Sequence, residues 1–381
     1  MKKIESSGWI AQLDGLRGIS ILMVLTAHVH APGWHELQGG YGVTVFFVLS
    51  GFLITRLLTR EEHDSGGVSL PAFYIRRVFR LFPLYYLILG VYCVLILVLG
   101  LRPEGRSGFV GALPWYLVYM QEIPYLRAGL HPGGWMPMPF YQSWSLGIEE
   151  KFYFVWPFLA FRLLRKQNAR VTLAVGAVLF FSAARFYFLG RYIYPYAAIS
   201  WGCLLALLTE TPGIRRTLDE WVSRWHAPLV LLSWPVLHVL AAGTFLPNGV
   251  HLFAELAYPL SIALVILTSL NVTWLATGLS VAPLVVLGRY SYCIYLIHLL
   301  VREATERVLH KLGIETGNGL LVFVLTLLLS TAAASILYYT VESRFREIGR
   351  RLSRSWGHSP VRTCPADADS VSSAVSAVTP G

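Results

Sequence analysis

Charge is scarce in this chain. Only 14% of its 381 residues are Asp, Glu, Lys or Arg, against about 25% in an ordinary soluble domain. With 55% hydrophobic residues and a mean hydropathy of +0.56, a water-soluble globule is excluded, because it would leave large apolar patches in water. Cysteine is rarer still. Cys93, Cys203 and Cys293 each stand alone in an apolar run and Cys364 lies near the C-terminus, so neither a disulfide framework nor a metal site is implied. Acidic residues are fewer than basic ones, 21 against 31, for a net charge of +10. The basic residues are scattered between apolar runs rather than gathered in one stripe. They read as membrane topology signals, and no nucleic-acid partner is implied.

What is abundant is apolar sequence in membrane-length pieces. A bilayer-crossing helix needs about 17–25 apolar residues. That ruler marks Leu13 to His30, Tyr41 to Thr59, Phe82 to Leu101, Ser145 to Phe161, Val171 to Leu189, Tyr192 to Leu208, Pro228 to Leu246, Leu252 to Leu270, Ala282 to Val301 and Leu320 to Thr340. The fold class is therefore all-α, a multi-pass membrane bundle of about ten helices in the cell membrane. Asp14 and Arg17 interrupt the first run, so it reads as a retained span and not as a cleaved signal. Val110 to Met120 is too short to cross and reads as interfacial or re-entrant. An even count puts both termini on one side, and loops on that side hold most of the Lys and Arg, so both termini are expected in the cytoplasm. Residues 1–350 form the membrane domain. Residues 351–381, poor in apolar periodicity, are expected to be a disordered cytoplasmic tail.

The long outer loop from Arg102 to Ser143 carries Trp115, Tyr116, Tyr119, Tyr125, Trp135 and Tyr141. Such rings suit a sugar platform and equally an aromatic interfacial belt.

Ionisable groups inside spans are costly and are candidates for function. In LDGLRGISILMVLTAHVH, Arg17 and His28 are eleven residues apart. At about 100° per residue they share a face, separated by about 16 Å of rise. Asp14 is placed to pair with Arg17. An arginine low in the bilayer could hold an anionic donor, and an imidazole higher on the same stripe could take a proton from a hydroxyl. For this helix taken alone, a snorkelling arginine and an interfacial histidine are the simpler reading. LGRYSYCIYLIHLL repeats the arrangement with Arg289 low and His298 high; Ser291 and Tyr295 share the His298 face, and Tyr292 lies between. A structural hydrogen bond to a neighbouring helix is the plain alternative for His298. In YQSWSLGIEEKFYFVW, Glu149 or Glu150 could orient a histidine, or could pair with an arginine such as Arg127 or Arg185. In FYIRRVFRLFP, Arg77 and Arg80 are one turn apart, a spacing that suits phosphate and equally plain positive-inside anchoring.

Five segments in order resemble the acyltransferase 3 family of membrane O-acyltransferases: LDGLRGISILMVLTAH, FFVLSGFLITRLL, FYIRRVFRLFP, QSWSLGIEEKFYFVWP and LGRYSYCIYLIH. The resemblance implies a ten-helix bundle that takes an acyl group, usually acetyl, from cytoplasmic acyl-CoA to a hydroxyl of a sugar. It makes His28 the catalytic residue with Glu149 in support, and assigns Arg17, Arg77 and Arg80 to the donor. Gln142, Ser145 and Glu149 match a further family motif, and Asp14, Glu150, Arg289, Tyr292 and His298 take supporting places. Many members carry an added esterase-like domain after the helices; the resemblance leads us to expect none after these helices, with any partner for acceptor delivery separate or unnecessary. The acceptor could be a surface polysaccharide or a small glycoside such as a macrolide. A lipid-linked sugar transporter is the competing class, and a membrane glycosyltransferase is disfavoured because HAPGWHELQGG offers only Glu36 as an acidic ligand.

Overall fold

The computed structural model describes residues 10–130, 138–186, 190–222, 226–243, 247–315, 317 and 319–356, and within them every regular element is helical. In chain order these are α1 (Ala11–Thr26), α2 (Tyr41–Ser65), α3 (Leu70–Cys93), α4 (Arg106–Leu117), α5 (Glu122–Leu130), α6 (Trp144–Pro157), α7 (Gln167–Ala184) and α8 (Gly190–Ile193). There follow α9 (Pro195–Thr209), α10 (Pro212–Trp221), α11 (Ala227–Ala242), α12 (Asn248–Asn271), α13 (Thr273–Leu279), α14 (Ala282–Lys311), α15 (Leu320–Leu337) and α16 (Ser343–Arg354). Wider π-helical turns continue α3 over Val94–Val98, α6 over Phe158–Leu163 and α15 over Tyr338–Glu342.

Among the described residues five helical stretches are long and apolar enough to cross a bilayer: His35–Ser65, Leu70–Val98, Gly249–Asn271, Ala282–Lys311 and Leu320–Arg354. A sixth arises if the pair Pro195–Thr209 and Gly213–Glu220, bent by 105°, is one broken span. The protein is thus a multi-pass membrane protein. Other expected spans are shorter helices. Both α1 and α11 have 16 residues, about 24 Å of rise against a hydrocarbon core of about 30 Å. The last turn of α1 closes with the Thr26 hydroxyl donating to the Met23 carbonyl at 2.7 Å, so His28 lies just beyond the helix. At the other end of the chain, α16 stays helical to Arg354, so the first residues of the expected tail, 351–354, are helix. Residues 357–381, and with them Cys364, lie outside the described residues.

Helix α15 shows how lipid inverts the usual pattern. Its buried positions are Val322, Thr326, Ser330 and Ala334, one every four residues, while Leu328 and Ile336 are 60% and 64% exposed. A soluble amphipathic helix does the reverse. Without a hydrophobic drive between helices in lipid, small and polar residues make the contacts.

Helix α1 is the hinge of the packing. Its lower residues Leu13 and Leu16 join one apolar core with α2, α6, α7, α9 and α12. Its upper residues Ile21, Val24 and Leu25 join another with α3, α4 and α14. Glycine lets α1 and α14 touch backbone to backbone. A Cβ on Gly18 would lie 2.2 Å from the Leu284 carbonyl oxygen, and one on Gly288 would lie 1.8 Å from that of Asp14. This contact joins the N-terminal halves of α1 and α14; farther along, His28, just past α1, comes beside His298 in the middle of α14.

Candidate active site

Just past the C-terminal end of α1, the His28 ring stands 4.9 Å from the His298 ring of α14, edge to face, and 6.2 Å from Tyr141. His28 Nδ1 lies 2.8 Å from the Val24 carbonyl oxygen and His298 Nδ1 lies 2.8 Å from that of Tyr295. A carbonyl oxygen only accepts, so each Nδ1 carries the proton and each Nε2 keeps a lone pair. Two imidazoles therefore present the same basic atom. The expected carboxylate orienter of His28 is replaced by a backbone carbonyl. One turn after His298, Arg302 Nη1 donates to the His28 carbonyl oxygen at 3.0 Å and to His30 Nδ1 at 2.8 Å. It thereby holds the non-helical segment that carries His28. A small cavity here is lined by Leu25, His28, Val29, His298, Arg302, Phe323 and Thr326.

A polar seam leads away from this pocket along α6. Gln142 Nε2 donates to the Tyr92 hydroxyl and to the Leu296 carbonyl, each at 3.2 Å. The Tyr295 hydroxyl donates to the Gln142 carbonyl at 2.6 Å and sits 2.7 Å from Ser145 Oγ. Gln142, Ser145 and Glu149 follow one helix face at near-turn spacing. Glu149 accepts from Ser50 Oγ at 3.1 Å and from the Tyr153 hydroxyl at 3.4 Å. Its neighbours are thus on the side of Arg17 and Arg77, whose charges act on it.

That second centre is ionic. Arg77 Nε donates to Glu150 Oε1 at 3.2 Å while its guanidinium covers the Tyr153 ring at 3.7 Å. The alternatives Arg127 and Arg185 are engaged elsewhere: Arg127 lies over the Trp115 ring, and Arg185 bonds Glu255. Arg80 lies in the field of Arg346, Arg77, Arg17 and Glu342. The Nε atoms of Arg17 and Arg80 are buried with no hydrogen-bond partner. Glu342, 3% exposed, accepts from Cys293 Sγ at 3.2 Å and is 3.7 Å from Arg346. A buried N–H without a partner is costly, and a guanidinium N–H is a donor of the kind that suits an anionic acceptor.

The sequence-derived residues thus divide. His28, His298, Gln142 and Ser145 gather around the upper pocket; Arg17, Arg77, Arg80, Glu149 and Glu150 gather below. Tyr292 buttresses α3 by donating to the Leu81 carbonyl at 2.7 Å, and Arg289 lies beside Tyr290. Of the outer-loop aromatics, Tyr116 and Tyr119 are core residues, 0% and 8% exposed, and so form neither platform nor belt. Tyr125 stacks on Trp144 at 4.8 Å, and Trp135 lies outside the described residues. Hydropathy and charge patterning single out none of Arg302, Arg346 and Thr326 as site residues. Two signals were present: Arg302 follows His298 by one helical turn, and Thr326 and Ser330 break a leucine-rich run at that same spacing. Among the described residues no group of three or more His, Cys, Asp and Glu side chains is placed to hold a metal ion.

Helices that pair an imidazole pocket at one end with an arginine cluster at the other fit a membrane acyltransferase, and comparison of the sequence bears on that class directly. A model of the acyltransferase domain of the acyltransferase 3 family matches residues 10–339. The chain belongs to that family. A Bacillus subtilis protein that carries the provisional name peptidoglycan O-acetyltransferase YrhL is 29% identical over 377 residues, 92% of this chain and 57% of that protein. A Staphylococcus aureus (strain COL) protein provisionally named an O-acetyltransferase is 28% identical over 91% of this chain and 59% of its own. The peptidoglycan O-acetyltransferase OatA of Listeria monocytogenes is 32% identical over 178 residues, 45% of this chain and 27% of OatA. The chain spans less than three fifths of the length of these relatives. No solved structure matches it.

Proposed function

We propose that this protein moves an acyl group, acetyl in the simplest case, from acyl-CoA to a hydroxyl of a sugar-containing acceptor, across a ten-span bundle in the cell membrane with both termini in the cytoplasm. The observation that carries this reading is the pairing of two unlike centres along α1: unpartnered guanidinium Nε atoms on Arg17 and Arg80 and an oriented imidazole at His28. The family match and the peptidoglycan O-acetyltransferase names of two relatives support it.

The donor is a substrate whose phosphates need cations and whose long arm is thin. Arg17, Arg77 and Arg80 are suited to the phosphates, with Glu149 and Glu150 limiting the net charge and fixing the guanidinium planes. About 14 Å of helix rise separates Arg17 from Thr26 at the end of α1, with His28 two residues farther on, a gap for the pantetheine arm and not for the nucleotide. At the upper end His28 Nε2 takes the proton of the acceptor hydroxyl as its oxygen attacks the thioester carbonyl carbon. The carbon–sulfur bond breaks, the ester forms, and the proton passes from His28 to the departing thiolate. The Val24 carbonyl keeps the imidazole in the tautomer this needs.

The test is mass spectrometry of surface glycans, peptidoglycan and small glycosides from cells with the wild-type protein, with His28→Ala, and without the protein. A mass gain of one acyl group confined to the wild type is the expected result. Equal acylation in the His28→Ala cells would remove His28 from the chemistry. Movement of a sugar with no covalent change would favour the transporter class.

A further inference from the structure

The pocket at His28 holds more hydrogen-bonding capacity than one reacting hydroxyl can use. His298 Nε2, Thr326 Oγ1 and Arg302 Nε all belong to residues lining it, and all three atoms are buried with no hydrogen-bond partner. His298 is 0% exposed and Thr326 4%, so bulk water does not serve them. Their chemistry is complementary. His298 Nε2 can only accept, because its Nδ1 proton is committed to the Tyr295 carbonyl. Arg302 Nε can only donate, and the threonine hydroxyl can do either. A group that donates and accepts at once satisfies such a set, and a hydroxyl is such a group.

We infer that His298, Thr326 and Arg302 form a second-hydroxyl subsite, so that the acceptor is read as a polyol: one hydroxyl lies on His28 for reaction while a neighbouring one donates to His298 and accepts from Thr326 or Arg302. This deepens the acyl-transfer reading and rests on it for the identity of the reacting group. The centres of the two imidazole rings are 4.9 Å apart, close enough for neighbouring hydroxyls of one acceptor to meet both rings. Leu25, Val29 and Phe323 supply the apolar wall that the carbon face of a sugar ring would meet. His298 and Thr326 act here as specificity-determining residues. A site built to hydrogen-bond a substrate hydroxyl rejects an analogue lacking it, because the buried protein groups are then stranded.

The experiment crosses protein changes with ligand changes. Full-length wild type, Thr326→Val, Thr326→Ser and His298→Phe are placed in nanodiscs with labelled acetyl-CoA, methyl glucoside and its mono-deoxy derivatives. Ester formation and calorimetric binding of each glycoside are both measured. In the wild type, loss of one particular non-reacting hydroxyl should raise KM and Kd about 10-fold. Thr326→Val and His298→Phe should each impose a similar loss on the parent sugar and almost none on that deoxy sugar, while Thr326→Ser restores the parent. Selective binding without ester formation would sink the acyl-transfer reading and leave the subsite standing. The subsite is overturned if all glycosides bind alike, if none binds, or if the variants weaken parent and deoxy sugars equally.

Discussion

The two polar centres of this protein are made of opposite materials. The upper pocket is built from imidazoles whose Nδ1 atoms are tied to backbone carbonyls, with Arg302 turned partly onto the backbone and His30. The lower centre is dense with ionisable groups: Arg17, Arg77, Arg80 and Arg346 beside Glu149, Glu150 and Glu342. Buried ions are expensive unless paired, and the guanidinium Nε atoms left over in this cluster are what the proposed donor phosphates would engage. A base, by contrast, must keep a lone pair and a fixed tautomer, which a backbone carbonyl secures more simply than a carboxylate. In the proposed function this difference separates holding from reacting, and each variant below attacks one side of it.

The largest effect is expected from His28→Ala. A positioned general base contributes about 10²- to 10⁴-fold, so turnover should fall by that factor with donor affinity and membrane insertion retained, measured as ester formation and acetyl-CoA binding on the same preparation. Arg17→Ala and Arg80→Ala should do the converse. A hydrogen bond to a charged group contributes about 1.5–3 kcal/mol, so KM for acetyl-CoA should rise about 10- to 100-fold while kcat changes far less. A kcat loss with unchanged KM would erase the division of labour.

Gly288→Ala tests the joint that aligns the two centres. Its Cβ would meet the Asp14 carbonyl oxygen, which is backbone and cannot swing away. Overpacking of this kind costs about 1–3 kcal/mol and should lower the unfolding midpoint in detergent. Gly278→Ala, which opens onto free space, should leave that midpoint unchanged. The smallest effect belongs to Arg127→Ala. Its cation–π contact with Trp115 at 5.2 Å is exposed, where such contacts contribute about 0.5–1 kcal/mol, so donor KM and turnover should both stay within about twofold.

Much of this was readable from the chain. Hydropathy alone marks a helical membrane protein, and Arg17, His28, Arg77, Arg80 and His298 stand out because lipid makes ionisable side chains rare. Helical spacing puts Arg17 and His28 on one stripe, whereas α1 ends at Thr26, two residues before His28. What stayed hidden depends on long-range contacts. That Glu150 chooses Arg77 over Arg127 or Arg185 is decided by how α6 lies against α3. Thr326 was invisible to a search for charges, since a threonine in a leucine-rich helix looks like packing until its neighbours are known. The end of α1 before His28 follows from local hydrogen bonds that hydropathy does not register.

The central claim is that donor and acceptor enter from opposite ends of α1. Proteoliposomes with a single protein orientation, given labelled acetyl-CoA only on the Arg77 and Arg80 side and methyl glycosides only on the His28 side, measure it directly. Labelled ester on the glycoside side with the wild type, and none with His28→Ala, is the expected result. Ester that forms only when both substrates share one side, or at equal rate without His28, would contradict it.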